Sequence, residues 1–307
     1  MHLRLTVVFV SLICSFNTFA NELWKKDYSK IDSIAKAVEP RRNLKKLVSE
    51  LTDHCHNDVS KYRSIFTWVA HHIEYDLEAL RKPALRETDP EKIIKRGKAV
   101  CAGYSSLFKT LCEQAGLECV TITGWAKERT LIGKDFPKKT NHAWSAIRIE
   151  NEWYLCDVTW AAGNTTEEKQ VFTFEFNDSY FCTPPELFAY CHFPEDKQWF
   201  LGGKVSKKKF MERPHFYSGS IRYKIQDVES DDGTIKYKKG DSIDFQFSTD
   251  VPDPEITICW AGDKFSKSIA YEKKGDTITF RCMPNRYVPF LYIYLNSKAI
   301  LGYKIVK

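Results

Sequence analysis

The sequence predicts an α+β fold in two units, with N-terminal helices and an antiparallel sheet in residues 21–205 and an all-β unit in residues 206–307. Three observations carry this. Apolar residues recur at three- and four-residue spacing through residues 25–75, three alternating stretches follow a single amphipathic helix, and from residue 218 onward the pattern becomes short strands separated by turn signals. The chain has 307 residues, 43% of them hydrophobic and 28% charged. That is enough for more than one core, since domains usually run about 100–200 residues.

The chain opens with His2 and Arg4, an apolar run over residues 5–16, and Thr18-Phe19-Ala20 before polar Asn21. This is the layout of a signal peptide over residues 1–20 cleaved after Ala20, with an apolar core too short to span a bilayer comfortably. An uncleaved anchor is the alternative. Bulky Ile13 beside Cys14 is a poor lipoprotein cleavage site. The expected location is therefore secreted or periplasmic, with no membrane span after cleavage. Cleavage would remove Arg4, one unit of a net charge of +6. The mild, interleaved excess of base that remains argues against nucleic acid or an anionic surface as partner.

Leu44, Leu47, Val48 and Leu51, then Tyr62, Ile65, Phe66 and Val69, form helical apolar faces. Pro83 and Pro90 bound a charged loop, and Asp89-Pro90-Glu91 opens a short helix ending near Gly97. A helix of about four turns begins at Cys101, buries Tyr104, Leu107, Phe108, Leu111 and Cys112 on one face, and stops at Gly116, which accepts the left-handed conformation. Strands are expected at residues 118–123, 142–149 and 153–160, the last two as a hairpin around Glu150-Asn151. The Lys-, Gly- and Pro-rich loop between the first two, residues 127–140, could cover a site. Expected strands then fall at residues 221–225, 235–237, 243–247, 256–260, 277–281, 290–295 and 300–306. Seven short strands with turns such as Asp232-Gly233 fit an immunoglobulin-like sandwich. The boundary is placed near residues 204–209, where Gly202-Gly203 precedes a run of lysines.

Of the ten cysteines, setting aside Cys14 and Cys101 leaves an even set of eight. Cys182/Cys191 and Cys259/Cys282 are the first disulfide pairs to test, although buried free cysteines pack equally well as small apolar residues.

Cys101 is the candidate nucleophile. A helix N-terminus stabilises a thiolate through unpaired N–H groups and the helix dipole, and Ala102-Gly103 are small enough to admit a substrate carbonyl. Position alone fits a buried structural cysteine better. The hairpin shifts that balance: with a two-residue turn, Ile149 faces Glu152, Trp144 faces Asp157, and His142 and Asp157 become diagonal neighbours on one face. A carboxylate so placed fixes the imidazole tautomer and stabilises the imidazolium. A three-residue turn would separate them, leaving a solvated histidine and a cap or turn aspartate.

Lys98-Ala99-Val100-Cys101-Ala102-Gly103-Tyr104, Asn141-His142-Ala143-Trp144 and Trp153-Tyr154-Leu155-Cys156-Asp157-Val158-Thr159-Trp160 resemble, in order, the three motifs of the transglutaminase-like superfamily. The segments Phe66 to Asp76 and Tyr180 to Asp196 extend the likeness, the second toward the branch that includes kyphoscoliosis peptidase. The resemblance covers about residues 60–200. It implies a papain-like core, with Cys101 as nucleophile, His142 as general base and acid, and Asp157 as orienting group. It also implies acyl transfer from an amide of a protein or peptide substrate through a thioester, resolved by water (peptidase) or an amine (crosslinking). A catalytically silent binding or scaffold module is the alternative. Trp68 and Tyr75 are candidates for an aromatic oxyanion donor, though both also suit the core. No calcium loop of EF-hand type is visible, and no cofactor is expected. Asp53-His54-Cys55-His56 and His71-His72 have the composition of metal ligands but point different ways on a helix, so no metal is expected. His192 reads as structural, and Trp144, Trp153 and Trp160 as core and cleft wall.

Overall fold

The computed structural model describes residues 22–24, 26–165, 171–229, 232–238, 240–284 and 286–307. The signal-peptide expectation for residues 1–20, with Cys14, lies outside the described residues. Three helices come first: α1 (Ser29–Ala37), α2 (Leu44–Thr52) and α3 (Asp58–His72). Local chemistry starts them. Asn43 caps α2, and Asn57 and Ser60 form a reciprocal capping box on α3. Arg63 of α3 is buried and grips Asp32 of α1 with two bonds of 2.7 Å, and Thr67 adds a third at 2.7 Å.

The chain continues through β1 (Glu74–Tyr75), α4 (Leu77–Arg81), α5 (Pro90–Arg96), β2 (Lys98–Ala99) and α6 (Cys101–Gln114). Strands β1 and β2 pair in parallel and bring Tyr75 beside Ala99, two residues before the head of α6. Helix α6 ends in a Schellman motif. The Leu117 N–H reaches Cys112 O at 2.9 Å and the Gly116 N–H reaches Glu113 O at 3.1 Å, with Gly116 at φ +81°. Its buried face (Tyr104, Leu107, Phe108, Leu111) packs against α3 and the sheet that follows. Each fully buried large side chain contributes about 1.5–3 kcal/mol, so this seam stabilises the unit strongly.

That sheet holds β3 (Glu118–Ala126), β4 (His142–Ile149) and β5 (Glu152–Cys156), with α7 (Val158–Ala162) directly after. A small hairpin, β6 (Gly163–Thr165) with β7 (Phe172–Phe174), and helix α8 (Pro185–Phe188) lead to β8 (His192–Pro194). The antiparallel order is β5-β4-β3-β8. Glu150 and Asn151 both have positive φ, 50° and 70°, which makes the expected two-residue turn a type I′ and pairs Ile149 with Glu152. The expected strand over residues 153–160 is shorter. It stops at Cys156 because the Asp157 N–H turns to Tyr180 O at 3.1 Å, and a helix begins.

The lysine run at the expected boundary forms α9 (Lys207–Glu212), whose Phe210 packs 5.5 Å from Phe193 of β8. Then come β9 (His215–Phe216) and α10 (Ser218–Arg222). The strand expected at residues 221–225 is replaced by that helical turn, held where the Tyr217 N–H donates to Ile300 O. The remaining strands are β10 (Thr234–Lys236), β11 (Ile243–Ser248), β12 (Ile256–Trp260), β13 (Lys267–Ser268), β14 (Tyr271–Lys274), β15 (Thr277–Cys282), β16 (Phe290–Leu295) and β17 (Lys298–Val306). They form two sheets. One runs β10-β17-β16-β12-β13 with β9 also on β17, the other β11-β15-β14. Phe245 and Tyr303 meet across them at 5.1 Å.

The nine described cysteines are free thiols. The pairs tested first, Cys182/Cys191 and Cys259/Cys282, are not bridged. Cys182, Cys191 and Cys282 instead fill the core as small apolar groups. No helix among the described residues is long and apolar enough to cross a membrane.

Candidate active site

The elements that converge are the head of α6, the start of β4 and the β5–α7 corner. Cys101 is the first residue of α6. The Gly103 and Tyr104 N–H groups already donate to Val100 O, so the Cys101 and Ala102 amides are the first-turn donors without a helical acceptor. His142 opens β4 because Asn141 before it clasps the end of β3, taking the Ala126 N–H at 2.7 Å and donating to Ala126 O at 3.0 Å. Asp157 is fully buried and serves two purposes. Its Oδ1 accepts the Trp160 N–H at 3.0 Å and caps α7, while its Oδ2 accepts from His142 Nε2 at 2.6 Å. The cap aspartate and the orienting aspartate, weighed as alternatives from sequence, are one residue using two oxygens. His142 and the Ala143 N–H also lie close enough to Cys101 to act on its thiol.

Residues 45–158, which include all three of these side chains, match the family model of the transglutaminase-like superfamily. They are a transglutaminase-like domain. Kyphoscoliosis peptidase of Mus musculus is 38% identical over 175 residues, covering 57% of this chain and 26% of that protein. The Homo sapiens protein of that name is 37% identical over 177 residues, 57% of this chain and 27% of that protein. Hillarin of Drosophila melanogaster is 25% identical over 244 residues, 73% of this chain and 29% of that protein. The motif likeness to the kyphoscoliosis peptidase branch is thus borne out. The chain spans about a quarter of the length of the curated relatives it matches.

Electrostatics in the transglutaminase-like domain favour charge separation. Burial alone would raise the Cys101 thiol, but the hydrogen bond and charge of His142, with the Ala143 N–H, bring it below its ordinary value. Burial alone would lower His142, and Asp157 outweighs it, raising the imidazole to about 10. Burial opposes the Asp157 charge, and the two histidines that face it hold the carboxyl well below the usual range. Trp160 and Trp144 flank the His142 ring at 5.3 and 6.0 Å and limit water there. Trp153 lies elsewhere, against Trp199 at 5.1 Å.

Other expectations change. Trp68 donates its Nε1–H to Val38 O at 2.8 Å and so has no part in the site. Tyr75 is close enough to Cys101 for the thiol's charge to act on it, and burial first, then that charge, raises its hydroxyl. Gly103 is small for a different reason than substrate access, since a Cβ there would run into the Glu87 carbonyl oxygen and Ala99. In residues 127–140, Gly133 donates to Met211 O, Arg129 bonds Tyr292, and Phe136 meets Trp125 edge-on at 4.7 Å, while Glu128 stays close enough to Tyr75 for its charge to act on that hydroxyl. His71 and His72 satisfy their Nδ1 atoms on Thr67 and Trp68 carbonyls one turn back.

The residue missed from sequence is His192. Its Nε2 lies 2.9 Å from the same Asp157 Oδ2 that binds His142. The only signal available was a histidine in the segment resembling the kyphoscoliosis peptidase branch, with nothing local to link it to Asp157. Among the described residues, His142, Asp157 and His192 are the one group with the composition of a metal site, their donor atoms within 4.8 Å of one another. Both imidazoles, however, spend Nε2 on one carboxylate oxygen, whereas zinc needs each donor turned to a common centre at about 2.0–2.2 Å.

Proposed function

We propose that the transglutaminase-like domain is a thiol-dependent amide hydrolase or acyltransferase acting on polypeptide. The observation that carries this reading is the buried Asp157–His142 pair, bonded at 2.6 Å, with Cys101 at the head of α6 close enough for His142 to act on its thiol. Asp157 fixes the tautomer, His142 draws the thiol proton, and the thiolate attacks a carbonyl carbon. The tetrahedral oxyanion would be met by the free amides at the head of α6, with the Tyr75 hydroxyl as second donor. Collapse expels the amine, which takes its proton from the His142 imidazolium, and leaves a thioester on Cys101 for water or a second amine to resolve. The name peptidase borne by the mouse and human relatives supports hydrolysis over transfer.

Two further readings belong to this proposal. Export through residues 1–20 is supported by their sequence pattern. An immunoglobulin-like identity for the C-terminal unit, residues 206–307, is supported by strand order, since β11-β15-β14 and β17-β16-β12 follow the B-E-D and G-F-C sequence of that sandwich.

The test is the pH profile of iodoacetamide alkylation at Cys101 in the wild-type chain and in His142→Ala. Casein cleavage and incorporation of a fluorescent primary amine into casein are followed alongside. A thiolate at neutral pH that the substitution abolishes, with either product formed, is expected. An ordinary thiol profile near about 8.5 that His142→Ala leaves unchanged would sink the enzyme reading in favour of a silent binding module.

A further inference from the structure

We propose that His192 is a positioning residue of this site, a neutral second histidine whose Nε2–H holds Asp157 Oδ2 in place and shares its charge with His142. The inference rests on the triad reading above and deepens it. His192 lies beyond residues 45–158, the span that the family model matches.

The geometry is specific. Asp157 is a carboxylate with no solvent exposure, and a buried charge is tolerated only when its lone pairs are met by donors. Three are met here: Trp160 N–H on Oδ1, and His142 and His192 on Oδ2 at 2.6 and 2.9 Å. An ionised carboxylate oxygen accepts only, so each Nε2 carries a proton in this arrangement. Only one of the two rings has reason to be charged. His142 faces the Cys101 thiolate, whereas His192 lies flat against Phe188 at 3.8 Å and 18°, with Trp160 at 4.6 Å and Trp144 edge-on at 5.0 Å. This apolar box penalises an imidazolium, and burial accordingly lowers His192 from its ordinary value despite Asp157.

The fold delivers the ring deliberately. Strand β8 pairs on the free edge of β3, with Ala126 opposite His192 and Gly124 opposite Pro194. The Lys127 N–H to Cys191 O bond at 2.9 Å continues the register. Gly124 is needed for this approach, because a Cβ would meet Phe193 O and the Trp144 ring closer than 3.0 Å.

The chemical consequence concerns proton return. If Oδ2 served His142 alone, its full charge would stabilise the imidazolium and hold its proton more tightly. A second donor on that oxygen draws off part of the charge and fixes the carboxylate plane, so His142 can still give its proton to the leaving amine. Other ionisable groups near Asp157 are Cys101 from α6, Tyr75 from β1, Tyr104, Cys156, Tyr180 and Cys191. Burial holds all of these but Cys101 protonated at neutral pH. The two limbs of the alkylation profile therefore belong to Cys101 and His142.

The test compares the alkylation pH profile of Cys101 in wild type, His192→Gln and His192→Leu. Glutamine places an amide donor near the position of Nε2, and leucine removes it. Leucine is expected to widen the thiolate–imidazolium window, moving its alkaline limb up by about one pH unit. Glutamine should restore the wild-type limbs. A leucine profile identical to wild type overturns the proposal. Because leucine could also impair folding, the wild-type chain is read directly by histidine 15N NMR. A neutral Nε2–H tautomer for His192 that does not titrate between about pH 5 and 8 is expected. An Nδ1–H tautomer, or titration near about 6.5, overturns the proposal whatever the variants do. An ordinary wild-type thiol at Cys101 defeats the enzyme reading instead, and the tautomer measurement still decides the role of His192.

Discussion

Asp157→Asn isolates the charge at the centre of the site while changing little else. Asparagine caps helices as well as aspartate does, so the Oδ1 bond from Trp160 N–H, 3.0 Å in the native chain, is retained. What changes is Oδ2, where an amide NH2 now confronts two imidazole Nε2–H groups, at 2.6 and 2.9 Å from the native oxygen. One ring can switch tautomer and accept, leaving the other with a buried donor and no acceptor, at about 1–3 kcal/mol. At about 2–4 °C per kcal/mol for a unit of this size, the midpoint of thermal unfolding should fall by about 2–12 °C. If His142 is the ring that switches, it presents an N–H to the sulfur and no longer serves as its base. Cys101 should then titrate near about 8.5, so that at pH 5.5 its alkylation rate lies about a thousandfold below its own alkaline plateau. The wild type, whose thiol lies below its ordinary value, should retain a larger fraction of its plateau at that pH. Reading each profile against its own plateau removes intrinsic nucleophilicity from the comparison. An Asp157→Asn profile that keeps its low-pH plateau would refute the claim that this carboxylate sustains the ion pair.

Three further outcomes follow from the same geometry. Gly124→Ala, at the position opposite His142 in the β3–β4 register, should push β8 off β3, cost about 1–3 kcal/mol by overpacking, and move the Cys101 alkylation limb toward that of an ordinary thiol, measured by chemical denaturation and mass spectrometry. Arg63→Met strands Asp32 in the α1–α3 seam and should destabilise by about 3–5 kcal/mol in urea unfolding, with the double change Arg63→Met/Asp32→Leu recovering much of that loss. Between the ordinary values of histidine and cysteine, about 6.5 and 8.5, the proton that raised His142 gains over the unfolded chain opposes the one that lowered Cys101 sheds, so stability should change little with pH. Below about 6.5 the unfolded chain binds more protons than the native one at His71, His192 and His215, the last lowered to about 3 by burial beside Lys127 and Arg129, so stability falls with acid. Above about 9 the unfolded chain sheds protons that the native one keeps, at His142, raised to about 10, and at buried Cys191 and Cys282, each raised to about 12, so stability falls with base. Unfolding midpoints from pH 4 to 10 check both limbs.

Much of this was determined by the sequence itself wherever the cause is local. Helix α6 and its stop at Gly116 follow from apolar spacing and one residue's tolerance of positive φ, and the β4–β5 register follows from a two-residue turn. The order of Cys101, His142 and Asp157 therefore points to a candidate site from sequence alone. Tertiary structure decided whatever depends on partners far apart in the chain. The third strand ends at Cys156 because Tyr180 O competes for the Asp157 N–H, 23 residues away. Residues 127–140 are anchored on Met211 and Tyr292, far along the chain, where Phe136 also finds its apolar partners. His192 joins Asp157 across 35 residues through an edge pairing that no periodicity encodes. Spacing and capping act within a turn or two, whereas the placement of a buried donor beside a buried charge is settled only when the whole core closes around both.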